Sequence, residues 1–291
     1  MEKLTYSKYP EIAVYKIRKA EIDKIDFDLC QQPAETLEHY YERQSTKPDL
    51  LVNGGFFALS TGETTFTYID DGEEISINRD YLEGFGIKDN TIEFGKYANN
   101  YSDFISAYPI FMKAGNVVNS SIGSEINYNA RRTILGYDDL NIYVITIESP
   151  GYAFSKIKGM LTELRIPNAI NLDGGGSTRL LLNGKRETAV SYSRPVDNVV
   201  AIYLKKEKII YRVQTGAFSK KDNAERYRAE IQQLPDTIGA GYKNAYIKLI
   251  NGLYKVQVGA FSKKENAQKV VTDLKRLGYD SFITTNNWYL R

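Results

Sequence analysis

One histidine and one cysteine are all that this chain of 291 residues offers as imidazole or thiolate ligands. A zinc centre built on His and Cys clusters is thereby excluded, and so is an internal disulfide. The lone Cys30 fits synthesis in a reducing compartment. Charge of one sign is also scarce: the formal net charge is +2, too small to predict nucleic-acid binding, and the Lys-Lys pairs read as solvated faces. No apolar run reaches the roughly 18 residues that a membrane span needs. Low-complexity tracts are missing. Met1 to Tyr9 is polar and leads into no apolar core of a leader, so synthesis in the cytoplasm without a signal peptide is expected. The single histidine, His39, falls in Leu37-Glu38-His39-Tyr40-Tyr41, a predicted helix, and reads as a surface residue.

What is present concentrates in Asn171-Leu172-Asp173-Gly174-Gly175-Gly176-Ser177-Thr178. Upstream, Ile157, Met160, Leu161 and Leu164 recur at the spacing of an amphipathic helix over Ser155 to Ile166, with Ser155 as its N-cap. Ala169-Ile170-Asn171-Leu172 then reads as a short buried strand that delivers Asp173 to its end. Past the glycines, Arg179-Leu180-Leu181-Leu182 resumes extended structure and Asn183-Gly184 marks a hairpin turn. Neither GxGxxG before a helix nor GxxxxGK[ST] occurs, so nucleotide-phosphate loops are excluded. Two readings of the glycine triplet stay open: a backbone that lets a ligand approach closely, or a tight bend capped by Asp173.

A second loop repeats the design, since the strand Leu50-Leu51-Val52 ends in Asn53-Gly54-Gly55-Phe56-Phe57. Taken together, these two blocks resemble the phosphodiester glycosidase family. Three further blocks agree in order: Ser106 to Gly115, Ala130-Arg131-Arg132-Thr133-Ile134-Leu135-Gly136, and Arg194-Pro195-Val196-Asp197-Asn198. The resemblance implies a mixed α/β catalytic domain over residues 1–205 that hydrolyses glycosyl phosphodiesters. One departure is visible, because the family's Arg-Thr-Ala and following Asp-Gly are replaced by Ile134 after Thr133 and by Glu148-Ser149-Pro150-Gly151 closing the strand Asn141 to Ile147.

Such a reaction needs groups that hold a diester anion and a carboxylate for an oxocarbenium-like centre. Arg132 and Arg194 are the expected anion binders, because a guanidinium presents a planar fork to phosphate oxygens. Asp173 is the expected base or nucleophile, with Glu148 as second carboxylate. Asn53, Gly54 and Gly55 are expected at the substrate, and backbone N–H groups of Gly174, Gly175, Gly176 and Ser177 as a nest for anion oxygens. Ser177 reads as a hydrogen-bonding or capping residue, since no histidine is placed to activate it as a nucleophile. No organic cofactor is expected; a hard cation, Ca2+ or Mg2+, held by Asp173, Glu148 and backbone oxygens is left open.

The C-terminal part contains a repeat. Tyr211-Arg212-Val213-Gln214-Thr215-Gly216-Ala217-Phe218-Ser219 recurs as Tyr254-Lys255-Val256-Gln257-Val258-Gly259-Ala260-Phe261-Ser262, 43 positions later. Each copy predicts strand, turn and helix, with Ser219-x-x-Asp222 and Ser262-x-x-Glu265 as capping boxes. Two β-α-β halves make a small α+β domain with two helices on one sheet face. This stretch, residues 207–291, resembles the sporulation-related repeat (SPOR) domain, and the resemblance implies peptidoglycan binding. Tyr211, Tyr254 and Phe261 would offer stacking faces, and Gln214 and Gln257 hydrogen bonds, to sugars. The join is expected near Lys205-Lys206-Glu207-Lys208. The whole is thus an α+β chain of two domains, expected to act at the bacterial cell wall as a phage or prophage endolysin-like hydrolase. Its partner would be peptidoglycan or a wall glycopolymer. The alternatives are a catalytically silent wall-binding protein and an intracellular phosphodiesterase acting on a sugar nucleotide.

Overall fold

Alternation of apolar side chains along the strands decides the architecture of the larger part of the chain. In the strand Asn141–Tyr152, Ile142 and Val144 point to one side and Ile145 and Ile147 to the other, and all are buried. In Ala130–Tyr137, Leu135 and Ile134 divide in the same way, as do Ile170 and Ala169 in Asn168–Asn171. A sheet apolar on both faces must be covered on both. Here one face meets the helix Phe154–Glu163 through Phe154, Ile157, Met160 and Leu161, and the other meets a second sheet.

The computed structural model describes all residues except 33, 99, 119–125, 190–193, 207–208 and 286–291. It divides into two compact units, Met1–Lys205 and Lys206–Arg291. Glu207 and Lys208 of the expected junction lie outside the described residues.

In the larger unit a seven-stranded sheet runs in the order Glu2–Tyr6, Tyr9–Arg18, Asn141–Tyr152, Ala130–Tyr137, Asn168–Asn171, Ile110–Lys113, Asn116–Val117. The second sheet has the order Lys185–Arg186, Leu180–Leu182, Leu50–Asn53, Asn198–Leu204, Ile22–Leu29. Its inner residues Leu50, Val52, Leu180, Val200 and Ile202 share the first sheet's core. Its outer residues Leu51, Leu181, Val199 and Ala201 pack with Leu37 and Tyr40 of the helix Leu37–Arg43. The layers are therefore helix, sheet, sheet, helix. A further five-stranded sheet, built around Tyr68–Asp70, Asp103–Ser106 and Glu83–Lys88, adds Tyr68, Phe85, Ile87 and Ile105 to the shared core. Among the described residues every strand pairing is antiparallel.

The helix expected from Ser155 starts one residue earlier, with Ala153 as N-cap and no side-chain cap bond. Its free amides are taken up from a distance: Ala153 N–H donates to Asn129 Oδ1 (3.0 Å) and Phe154 N–H to Asn127 Oδ1 (2.9 Å). Tertiary partners thus replace the local cap. Nor does the strand from Asn141 close at Ile147. It runs on to Tyr152 through a large bulge, because Ala130 pairs with Tyr152 and Arg132 with Ile147. His39 has a mostly exposed side chain whose Nδ1 lies 2.6 Å from Glu35 Oε2. Where the hairpin Tyr68–Ser76 meets the strand Ile22–Leu29, acidic residues crowd. Burial, with the charges of Asp26 and Asp71 adding to it, pushes the Asp103 carboxyl up to about 6.

The smaller unit has the order strand Tyr211–Phe218, helix Lys221–Gln232, strands Tyr246–Ile250 and Leu253–Phe261, helix Lys264–Arg276, strand Phe282–Thr285. One sheet of four strands buries Val213 and Val258 against Ile231, Ala267, Val270 and Leu274 of the two helices. The expected capping boxes do not form: the N-caps are Lys220 and Lys263, without side-chain cap bonds. Asp222 and Glu265 lie in the first turns, where their charge favours the helix dipole.

Phe27 is fully buried between the two sheets of the larger unit. Phe27→Ala should cost about 3–5 kcal/mol, measured as a lowered urea midpoint for that unit's transition. A loss under about 1 kcal/mol would show that the core is not close-packed there.

Candidate active site

Asp173 stands where the chain crosses from one sheet to the other. Leu172 N–H still donates to Thr133 O of the first sheet (2.9 Å), and the next amide, Asp173 N–H, donates to Gly54 O beyond the second (3.0 Å). Asn53 closes this seam. It is fully buried; its Nδ2 donates to Asp173 O (2.7 Å), while its Oδ1 accepts from Thr133 Oγ1 (2.8 Å) and Arg179 N–H (3.2 Å). With its amide occupied in this way, Asn53 is a scaffold residue and not the substrate contact expected of it. Gly54 and Gly55 behave likewise: Gly54 N–H donates to Asn198 O (2.9 Å) and Gly55 N–H to Asn198 Oδ1 (2.6 Å).

The carboxylate itself faces a pocket of about 490 Å3. Its walls include Arg132, Arg194, Asn171, the glycines Gly174, Gly175 and Gly176, and five aromatics, Phe56, Phe66, Tyr108, Tyr128 and Phe154. Burial raises the Asp173 pKa; the Ser177 side chain, the Gly174 N–H bond and the charges of Arg194 and Arg132 pull the other way without cancelling it. Gly174 N–H donates to Asp173 Oδ1 at 2.8 Å. The Ser177 hydroxyl sits near enough to favour the ionised carboxylate, yet outside hydrogen-bonding geometry, so its oxygen is buried without a partner. Two of the expected nest amides are already engaged, Gly174 by Asp173 and Ser177 N–H by Gly174 O (3.1 Å).

Arg132 passes its guanidinium over the Phe154 ring at 4.1 Å and donates from Nη2 to the Ile126 and Tyr128 carbonyls. Its Nε is buried with no acceptor. Arg194 packs on the glycine loop so closely that a Cβ on Gly176 would fall 2.6 Å from its Cζ. Gly175 holds φ at +58°, the left-handed region that side chains disfavour. The triplet is thus set by the arginine and the bend together.

Glu148 is not brought to Asp173. Arg131, its neighbour across the bulge, takes the Glu148 carboxylate with Nε (3.1 Å) and uses Nη1 and Nη2 on Gly175 O (3.0 Å) and Thr178 O (2.7 Å). This arginine, which clamps the glycine loop from behind, was not singled out in the sequence because two adjacent arginines look alike there. Asn171 was missed too. Its Nδ2 donates to Tyr108 O (3.2 Å), but its Oδ1 is buried at the pocket without a partner. The aromatic wall was legible only in Phe56: centroids step from Phe56 to Phe66 (5.0 Å), on to Tyr81 (4.4 Å) and to Tyr108 (5.7 Å). A roomier groove of about 570 Å3 along the helix Lys264–Arg276 has no orphaned polar atom among its described residues.

In the smaller unit Gln214 and Gln257 lie directly opposite each other, in register with Phe282 on one flank and Tyr246 on the other. Alternation puts them on the face away from Val213 and Val258. Both are nearly buried; Gln257 Oε1 accepts from Tyr246 Oη (2.9 Å), and Gln214 Oε1 has no partner. Tyr211 and Phe261 pack instead against the helix-side core, and Tyr254 pairs with Leu249 and Phe218 near the sheet's end. The stacking faces expected of Tyr211 and Phe261 are therefore on the wrong side of the sheet.

A sheltered carboxylate under the influence of two guanidinium groups suits hydrolysis of an anionic substrate. Residues 46–203 match the phosphodiester glycosidase family and residues 208–285 the SPOR domain. The chain belongs to the phosphodiester glycosidase family, with a SPOR domain following the family's domain. Mouse N-acetylglucosamine-1-phosphodiester alpha-N-acetylglucosaminidase is 30% identical over 169 residues, 48% of this chain and 32% of that protein. The human enzyme of the same name is 27% identical over the same shares. The chain thus spans about a third of the length of these relatives. The zebrafish catalytic domain, auto-inhibited by its pro-peptide, shares the fold with TM-score 0.53 at 19% identity, covering 70% of this chain and 88% of that one. A Synechocystis protein does so with TM-score 0.59 at 13% identity, over 70% and 61%.

Gly54→Ala would press a methyl to 2.0 Å from Asn198 Oδ1. It should lower the melting temperature and abolish activity together. Arg131→Met should lower the melting temperature, because Glu148 and two loop carbonyls lose their donor, and should lower kcat as the glycine loop loses those anchors. Equal kcat in Arg131→Met and wild type would remove Arg131 from the positioning of that loop.

Proposed function

We propose that the larger unit hydrolyses an N-acetylglucosaminyl phosphodiester, or a related glycosidic bond, in a bacterial wall polymer, and that the SPOR domain holds the enzyme on peptidoglycan. The observation that carries this reading is the pocket of Asp173, in which Arg132 and Arg194 face a half-buried carboxylate. Arg132 and Arg194 grip the diester anion. Asn171 Oδ1 and Arg132 Nε, both orphaned, accept from and donate to the substrate. The aromatic wall stacks on a sugar face. Asp173 attacks the anomeric carbon or takes the proton of the water that does. The bond from C1 to the phosphate oxygen breaks, its electron pair leaves with the phosphomonoester, and the water oxygen ends on C1. A phosphate is a good leaving group and needs little acid catalysis, which agrees with Asp173 being the one carboxylate among the described pocket residues.

In the SPOR domain the row Phe282, Gln214, Gln257, Tyr246 is the surface we assign to glycan, with the exposed Phe282 ring as the stacking element. Tethering raises the local concentration of scissile bonds, so the catalytic pocket need not bind tightly on its own.

Wild type and Asp173→Asn, incubated with purified Gram-positive walls, are compared by mass spectrometry of released material. Sugar or sugar-phosphate from wild type alone is expected. No product from either, with both sedimenting with walls, would support the silent wall-binding alternative. Phe282→Ala should weaken sedimentation, whereas the glycosidase should still act on a soluble N-acetylglucosamine phosphodiester.

Because burial raises the Asp173 pKa and the base must be ionised, kcat/KM should fall on acidification at a pH above the ordinary carboxylate range. Arg194→Leu removes a charge that lowers that pKa, so the acid limb should move to still higher pH. An unshifted limb in that variant would separate Arg194 from Asp173.

A further inference from the structure

The carboxylates of Asp26, Asp71 and Asp103 converge from three separate elements, the strand Ile22–Leu29, the turn of the hairpin Tyr68–Ser76 and the strand Asp103–Ser106. One oxygen from each lies within 4.8 Å of the others. None of the three lines the pocket of Asp173. Asp103 is only 3% exposed; Oδ2 accepts from Ser102 Oγ (2.6 Å), while Oδ1 is sealed from water without a hydrogen-bond partner. The backbone N–H of Asp71 is near enough to favour the ionised form of this carboxyl, but lies outside hydrogen-bonding geometry. A buried carboxylate oxygen left unpaired beside two further carboxylates lacks a positive partner. Lys24, whose side chain is more than half exposed, engages Asp26 Oδ2 at 2.5 Å and leaves Asp103 Oδ1 unpaired.

We propose that Asp26, Asp71 and Asp103 bind a calcium ion that ties the hairpin Tyr68–Ser76 to the strand Ile22–Leu29. The chemistry is that of a hard cation with oxygen ligands. Separations of no more than 4.8 Å lie within the span that oxygens sharing one Ca2+ can reach. Calcium is favoured over Mg2+ because its coordination is flexible and it dehydrates readily, which suits ligands brought from three unrelated elements, whereas Mg2+ demands a near-ideal octahedron and keeps its waters. Asp71 contributes from an exposed position at φ +47°, so water can complete the shell on that side. The role is structural, since the site joins two sheets away from the catalytic pocket.

The full chain, stripped with chelator, is titrated with CaCl2 and with MgCl2 by calorimetry, and its melting temperature is followed in parallel. Two variants accompany it, Asp103→Asn and Asp71→Asn; the second keeps the fold, because asparagine tolerates the left-handed backbone at that turn. Ca2+ should bind wild type and raise its melting temperature by several degrees, with Mg2+ at least about tenfold weaker. In Asp71→Asn the affinity should fall by about tenfold or more, and its calcium-free melting temperature should equal or exceed that of wild type as repulsion is relieved. No heat and no thermal shift with wild type would overturn the proposal. So would calcium binding in both variants as tight as in wild type, or equal affinity of wild type for the two metals.

Discussion

The side chain of one buried amide carries the geometry of the catalytic end. Asn53 links a backbone carbonyl from the loop of Asp173, a hydroxyl from the first sheet and a backbone amide from the strand leaving the glycines. Each of these groups is desolvated, so losing the amide would leave several polar atoms unpaired at once. Two sheets stacked face to face can slide by small amounts when only apolar contacts join them. A directional bond at the seam removes that freedom, and Asp173 is held relative to both layers. Asn198 does the same for the glycine pair, and Arg131 for the far side of the loop.

Electrostatically the site is a contest that burial wins. An isolated carboxylate out of water prefers its proton, and two arginines, a backbone amide and a nearby hydroxyl all favour its loss. The outcome is a carboxylate more basic than a solvated aspartate, which favours a role as base or nucleophile. Arg132 feels the same burial in the opposite sense, its pKa lowered by desolvation, while its guanidinium is steadied by aromatic faces.

Where local chemistry decides, the sequence was a good guide. The strands ending in Asn53 and near Asp173, the Asn183-Gly184 turn and the helix stripe of Ile157, Met160 and Leu161 depend on spacing, turn residues and periodicity, all readable along the chain. What escaped depends on partners far away in sequence. Ser155 looked like a cap, but Asn127 and Asn129 supply the helix start. Ser219 and Ser262 matched a capping pattern that the backbone there does not adopt. Glu148 carried the right charge for catalysis and was claimed by Arg131, a pairing set by a bulge that no periodicity announces. Tyr211 and Phe261 have the composition of a sugar platform, while the alternation from Val213 turns them toward the helices. Residue type predicted roles well only where the side chain had no competing neighbour.

The register of the sheets also sets an order of events during synthesis. The strand Tyr9–Arg18 pairs with Asn141–Tyr152, Ile12 lying opposite Ile147, and Ile22–Leu29 pairs with Asn198–Leu204, Ile25 lying opposite Ile202. At about 5–20 residues per second on the ribosome, the first strands wait many seconds for their partners. Leu50-Leu51-Val52, central in the second sheet, has neither neighbour until residues 180–202 are made. The two stacked sheets therefore cannot close piecemeal from the N-terminus: the first hairpin and the sheet of residues 68–106 can pair locally, while Ile22–Leu29 and Leu50–Asn53 spend that interval as unpaired strand edges, exposed to pairing with other chains.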